Sequence, residues 1–122
     1  MEKKKLNICE VCKGYEYEGP RYIKLGPFSG EEFREKHLLP WLNTLNIQEE
    51  SVIDFLGTKM YSPSFLEESF GGAIREAKTS QEAETYRQKL NFTEFINIDP
   101  IWKKKLDGYI KNAKNKTNNG EK

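Results

Sequence analysis

The hydrophobic pattern changes period along the chain. Leu6-Asn7-Ile8-Cys9-Glu10-Val11 and Arg21-Tyr22-Ile23-Lys24-Leu25 alternate with period two, which predicts two strands. The glycine- and proline-bearing stretch KGYEYEGP at residues 13–20 between them has turn chemistry and makes them hairpin partners. Val52-Ile53-Asp54-Phe55-Leu56 is a short apolar run stopped by Gly57, the signature of a strand buried on both faces. Residues 92–98 are rich in β-formers and read as a further strand.

Elsewhere the period is helical. Phe33, His37, Leu38, Trp41, Leu42 and Leu45 share one face, and Leu66, Phe70, Ala73, Ile74 and Ala77 share another. Ile101, Leu106, Tyr109, Ile110 and Ala113 give a last helix its apolar stripe, and a polar stretch from Ser80 to about Leu90 reads as a short helix. The starts are marked. Ser29 with Glu32, Ser64 with Glu67, and Thr79 with Glu82 have capping-box spacing, and Phe28 is placed to staple to Phe33. Pro63 disfavours helix at Ser62, so the second helix is expected to begin at a Ser64 cap. Asp99-Pro100 opens the last helix. Pro40 predicts a kink or break near Leu39. The order is β-β-α-β-α-(α)-β-α: an α/β domain with a mixed sheet covered by helices over residues 1–112, and a Lys/Asn-rich flexible tail over 113–122.

Composition narrows the function classes. The chain has 122 residues, 36% of them hydrophobic and 32% charged, which suits one domain with a modest core. A net charge of +1 gives no global field for nucleic acid or a membrane surface. The lysine-rich end lacks aromatic interleaving after Tyr109, which argues against nucleic-acid binding. Neither a membrane-spanning run nor a signal-peptide pattern is present, so a cytoplasmic location is expected. No paired carboxylates, nucleophile motif or phosphate loop argues for an enzyme. His37 reads as a helix-boundary residue. Cys9 and Cys12 form a CxxC, a weak metal or redox candidate: there is no second such pair and only one histidine. No cofactor is expected.

The candidate site is the joint between the apolar strand and the helix after it. Ser62 and Ser64 stand at its mouth, with Tyr61, Pro63, Phe65, Glu67 and Glu68 around them and Ser29 in the first turn of the neighbouring helix. For Ser64 a helix cap is the plain reading, and for Ser62 a turn hydroxyl. Met60 and Tyr61 are either an exposed lip or core, with core favoured for Met60. Gly71-Gly72 reads as close helix packing in preference to a smooth docking surface. Asp54, the one acid of its strand, either pairs with Arg21 or Arg75 or faces solvent.

The phrases GPRYIKLGPFSGEEFREKHLLPWL and VIDFLGTKMYSPSFLEESFGG resemble the STAS-like family of unknown function DUF4325, over most of residues 6–112. More distantly the chain resembles the STAS domain of anti-sigma-factor antagonists. In those proteins an apolar strand leads into a loop whose serine, at a helix start, is phosphorylated by a partner kinase, and binding switches with phosphorylation. The resemblance implies a partner-switching regulatory module with Ser64 at the phosphorylated position, and a histidine-kinase-like ATPase or anti-sigma factor as its protein partner. Ser62, Pro63 and Phe65 depart from the antagonists' aspartate, serine and glycine. The alternatives from other classes are a small-ligand or nucleotide-binding protein using the Ser64 helix start, and a phage or mobile-element accessory protein that blocks a host component. The sequence does not state an oligomeric state.

Overall fold

The computed structural model describes residues 3–11 and 14–117. Three strands, β1 (Lys4–Asn7), β2 (Ser51–Asp54) and β3 (Thr93–Ile96), form one parallel sheet in the order β1-β2-β3. Four helices complete it: α1 (residues 30–42), α2 (residues 63–75), α3 (Ser80–Asn91) and α4 (Pro100–Asn112). Parallel neighbours need crossovers. α1 supplies the one from β1 to β2, and α2 with α3 the one from β2 to β3. The protein is α/β, consistent with a STAS-like arrangement. Among the described residues no helix is long and apolar enough to cross a membrane.

The sheet is covered by helices on one face. Leu6 and Phe95 are buried on the flanking strands while Lys5 and Glu94, one residue away, are exposed. β2 is buried at all four positions. On its helix side Ile53, followed by Phe55, enters the core. On the other side Val52 lies in register between Lys5 and Glu94, and Lys5 Nζ stands 3.8 Å from the Asp54 carboxylate. Flanking polar side chains therefore cover β2 where no helix does. The core is an aromatic lattice: Phe70, fully buried on α2, meets Phe33 of α1 at 6.1 Å, Phe55 at 6.3 Å and Phe95 of β3 at 5.7 Å between ring centres.

Several expectations from the sequence need correction. Residues 21–25 are not a strand, so among the described residues there is no hairpin, and the three strands pair only in parallel. Ile23–Leu25 is a single 3₁₀ turn, with Tyr22, Ile23 and Leu25 exposed. The backbone before it is already engaged: Pro20 O accepts the Gly30 N–H and Arg21 O the Glu31 N–H, both from the start of α1. β1 runs earlier than residues 6–11, because β2 ends at Asp54 and pairing beyond Asn7 has no partner; Ile8–Val11 turns into one helical turn.

Pro40 neither breaks nor ends α1. The helix widens to a π turn over Arg34–Leu38, where the Leu39 N–H donates to Arg34 O five residues back, and Pro40 falls in the first turn of the segment that follows. Ser29 caps α1 as expected, its Oγ accepting the Glu32 N–H at 3.0 Å, but Glu32 Oε1 reaches back to the Phe28 N–H at 3.1 Å, one residue before the cap. Phe28 packs on Tyr15, which also packs on Phe33, so Tyr15 mediates the expected staple.

Residues 113–117 are not a free tail. Asn115 is buried, and its Nδ2 donates to Ile74 O at 2.9 Å and Ala77 O at 3.0 Å, closing the carbonyl end of α2. Asn115→Ala should destabilise the protein by about 1–3 kcal/mol by leaving those buried carbonyls unpaired. Urea unfolding with an unchanged m value is the check.

Candidate functional site

The joint between β2 and α2 is built around Ser62. Its φ of −131° and ψ of 124° are extended, Pro63 takes the first helical position, and Ser62 Oγ accepts the Phe65 N–H at 3.3 Å. The cap is therefore Ser62, two residues before the expected Ser64. Proline at the first position lacks the N–H that would be unpaired there anyway. Ser64 sits half-buried in the first turn. Glu67 does not close a box with it; its carboxylate goes to arginines.

Ser62 is also held from outside. Its N–H donates to Glu18 Oε1 at 2.7 Å. Glu18 lies on residues 16–18, which pair with the loop after β2: Tyr17 bridges Met60, the Met60 N–H donates to Glu16 O at 3.1 Å, and Glu18 N–H donates to Met60 O at 3.1 Å. Glu18 is 3% exposed, and its Oε2 has no hydrogen-bond partner. Burial pushes its pKa up to about 8, against an opposing pull from the Ser62 N–H, so the side chain is mostly neutral at pH 7. Cys9 lies nearby, with Sγ 3.7 Å from Thr58 Oγ1, and burial pushes its thiol up, away from a reactive thiolate. Cys12 lies outside the described residues. Among those described, no group of three or more His, Cys, Asp and Glu is placed to hold a metal ion.

Asp54 finds neither Arg21 nor Arg75. It ends β2 and accepts from Asn97 Nδ2 and Leu56 N–H, both at 2.9 Å. Burial raises its pKa, but these bonds and the Lys5 charge outweigh burial and hold it below the usual carboxylate range.

The two arginines instead join a third at the first turns of α2. Arg34 Nη1 donates to Glu68 Oε2 at 2.6 Å and to Glu68 O at 2.8 Å, and both side chains are buried. Arg75 Nη2 donates to Glu68 Oε1 at 2.8 Å, and Arg21 Nη1 to the same oxygen at 3.2 Å. Glu67 accepts from both Arg21 and Arg75. Burial raises the Glu67 pKa, but these two guanidiniums outweigh it and lower the net value. α2 carries its own π turn at Glu67–Gly71, facing that of α1. Gly72 makes the pairing possible, because a Cβ there would lie 2.5 Å from Arg34 Nη1; a Cβ at Gly71 would lie 3.3 Å from Tyr109 O of α4. The glycine pair thus serves close packing.

The candidate residues divide accordingly. Pro63 is exposed, and Tyr61, Ser62, Ser64 and Glu67 are half-buried. Phe65, Glu68 and Ser29 are buried and offer no side-chain surface to a partner. Tyr61 stacks on Trp102 of α4 at 5.5 Å, and its hydroxyl accepts the Asp99 N–H at 3.2 Å. Met60 is half exposed, contrary to the core assignment. His37 lies against the Tyr15 and Phe33 rings, and burial lowers its pKa. Sequence reasoning missed Glu18, Arg34 and Asn115. Of these only Arg34 left a trace, since it stands four residues before Leu38 on the apolar stripe.

Residues 29–97 match the sequence model of the STAS-like domain of unknown function DUF4325. The match covers more than half of the chain, and the chain belongs to that family. No curated protein and no solved structure matches it.

Two predictions follow from the geometry of the joint. Ser62→Ala should cost about 1 kcal/mol in chemical unfolding, and Ser64→Ala distinctly less, because only the first removes the cap. Glu18 favours the folded state fully below its ordinary value of 4.5, and that contribution fades as pH rises towards about 8. Glu18→Gln cannot ionise. Its melting temperature should therefore rise relative to wild type between pH 5 and pH 9, read by calorimetry.

Proposed function

We propose that this STAS-like chain is a regulatory module that works by binding another protein through the face around the first turn of α2. The observation that carries this reading is a set of exposed apolar side chains on a segment clamped to that turn. Tyr17 and Met60 form one exposed pair, and Tyr22, Ile23 and Leu25 form a second cluster on the 3₁₀ turn. Both belong to segments tied to α2, the first through Glu18 to Ser62 and the second through Arg21 to Glu67 and Glu68. Clustered apolar exposure beside a polar rim favours a protein partner.

Ser64 is the modification point in this reading. A phosphate there stands one helical turn before Glu67 and Glu68. It repels those carboxylates while competing for Arg21. The charge therefore acts on the tether of the Tyr22–Leu25 turn as well as on the surface itself. The partner class suggested by the family resemblance is a histidine-kinase-like ATPase or an anti-sigma factor.

The test is affinity capture from the source cells with wild type, Ser64→Asp and the surface double variant Ile23→Glu/Leu25→Glu, read by mass spectrometry, with melting curves to establish folding. A regulator held by wild type and lost by both folded variants supports the proposal. The same proteins captured by all three would overturn it.

A further inference from the structure

Beside the ion pair of Arg34 lies an open recess of about 380 Å³ bordered by α1, the end of α2 and α3. Its size is within the range of small-ligand sites. It is separate from the face proposed for protein binding and does not depend on that reading. Arg34 lines it, although only 5% of the residue is exposed.

The donors of this guanidinium can be counted. Nε donates to Glu35 Oε2 at 3.1 Å, and Nη1 donates twice, to Glu68 O and Glu68 Oε2. A guanidinium has five N–H groups, so the two on Nη2 remain, and they meet no protein acceptor among the described residues. Nor is Nη2 sealed in the protein, because the only fully buried side-chain polar atom without a partner, among the described residues, is Glu18 Oε2. Nη2 therefore keeps some access to solvent, at a residue that lines the cavity. Two unspent N–H groups on a cation in a recess bind a carboxylate well.

The surrounding charges refine the ligand. Glu35, Glu76 and Glu82 line the same recess, together with one further cation, Lys78. Glu76 is taken by Lys116 at 2.9 Å, and Glu82 Oε1 accepts the Lys78 N–H at 2.9 Å, while the Glu35 side chain is about half exposed. The carboxylates outnumber Lys78, so a ligand that carries an ammonium group beside its carboxylate suits this lining better than a simple anion does. Leu39, Ala73, Ala77 and Tyr86 supply apolar wall. We infer that this cavity binds a small amino-acid-like zwitterion with an apolar side chain. Its carboxylate takes Nη2 of Arg34, its ammonium faces Glu35, and its side chain lies along Leu39 and Tyr86.

The test titrates the full chain, labelled with ¹⁵N, with L-leucine, with isoamylamine, which lacks the carboxylate, and with isocaproate, which lacks the ammonium. Leucine should give saturable shifts confined to residues 34–39 and 72–86 and to the Arg34 Nε–H signal. The two analogues should bind about tenfold more weakly or worse. Arg34→Lys should abolish the leucine response. Since that variant disturbs the Glu68 pair, Glu35→Gln, at a half-exposed position, is the folded control, and it should weaken leucine about tenfold and leave isocaproate unchanged or improved. Absence of saturable shifts, or shifts elsewhere in the protein, overturns the site. Isocaproate binding as tightly as leucine overturns the zwitterion assignment.

Discussion

Arg34 of α1 and Glu68 of α2 face each other inside the protein, and the arrangement of the two central helices depends on that contact. A carboxylate taken out of water costs several kcal/mol unless its lone pairs are met. Both oxygens of Glu68 are met: Oε2 by Arg34, Oε1 by Arg75 and Arg21. The three arginines come from α1, from the end of α2 and from the segment before α1, so one carboxylate fixes three parts of the chain at once. The π turns at Arg34–Leu38 and Glu67–Gly71 lie at the contact, and Gly72 leaves room for the guanidinium. Replacing Arg34 by a neutral residue leaves the buried Glu68 Oε2 without its partner, while Oε1 keeps Arg75 and Arg21.

Around that contact the protein separates packing from presentation. The aromatic lattice of Phe33, Phe55, Phe65, Phe70 and Phe95 binds the helices to one face of a three-stranded sheet. The segment at residues 14–28 adds no strand to that sheet. It crosses the N-terminal ends of α1 and α2, giving up backbone carbonyls to α1 and side chains to α2. Its apolar residues at 22, 23 and 25 therefore point outward from a segment that is otherwise well tied down. Ser64 lies between the two tethers, Glu18 to Ser62 on one side and Arg21 to Glu67 and Glu68 on the other.

Legibility followed the range of the interactions. The Ser29, Thr79 and Asp99 caps were readable because each is closed by a residue two or three positions away. The cap of α2 falls two residues before the position that the spacing suggests: Ser64 with Glu67 has the right spacing, but Glu67 is drawn off by Arg75, two turns on, and by Arg21, distant in sequence. The alternation at residues 21–25 had the period of a strand but no partner strand to pair with. Asn115 lay in a compositionally tail-like stretch, and nothing local distinguishes a buried asparagine that caps a distant helix from a solvated one.

By itself the sequence determined the α/β class, the central buried strand, the four helices and their approximate starts, because periodicity and capping are local properties of the chain. It also placed the serine-bearing joint at the mouth of α2. Only the tertiary structure decided that the sheet is parallel throughout, that Ser62 is the cap, that Glu18 is buried behind it, and that Arg21, Arg34 and Arg75 converge on Glu67 and Glu68. The sheet pairing, the position of Glu18 and the reach of Arg21 and Arg34 rest on pairs separated by many residues, whereas the Ser62 cap is closed locally by Phe65. The energy of burying a charge or pairing an edge depends on which distant group arrives, and no local pattern specifies that.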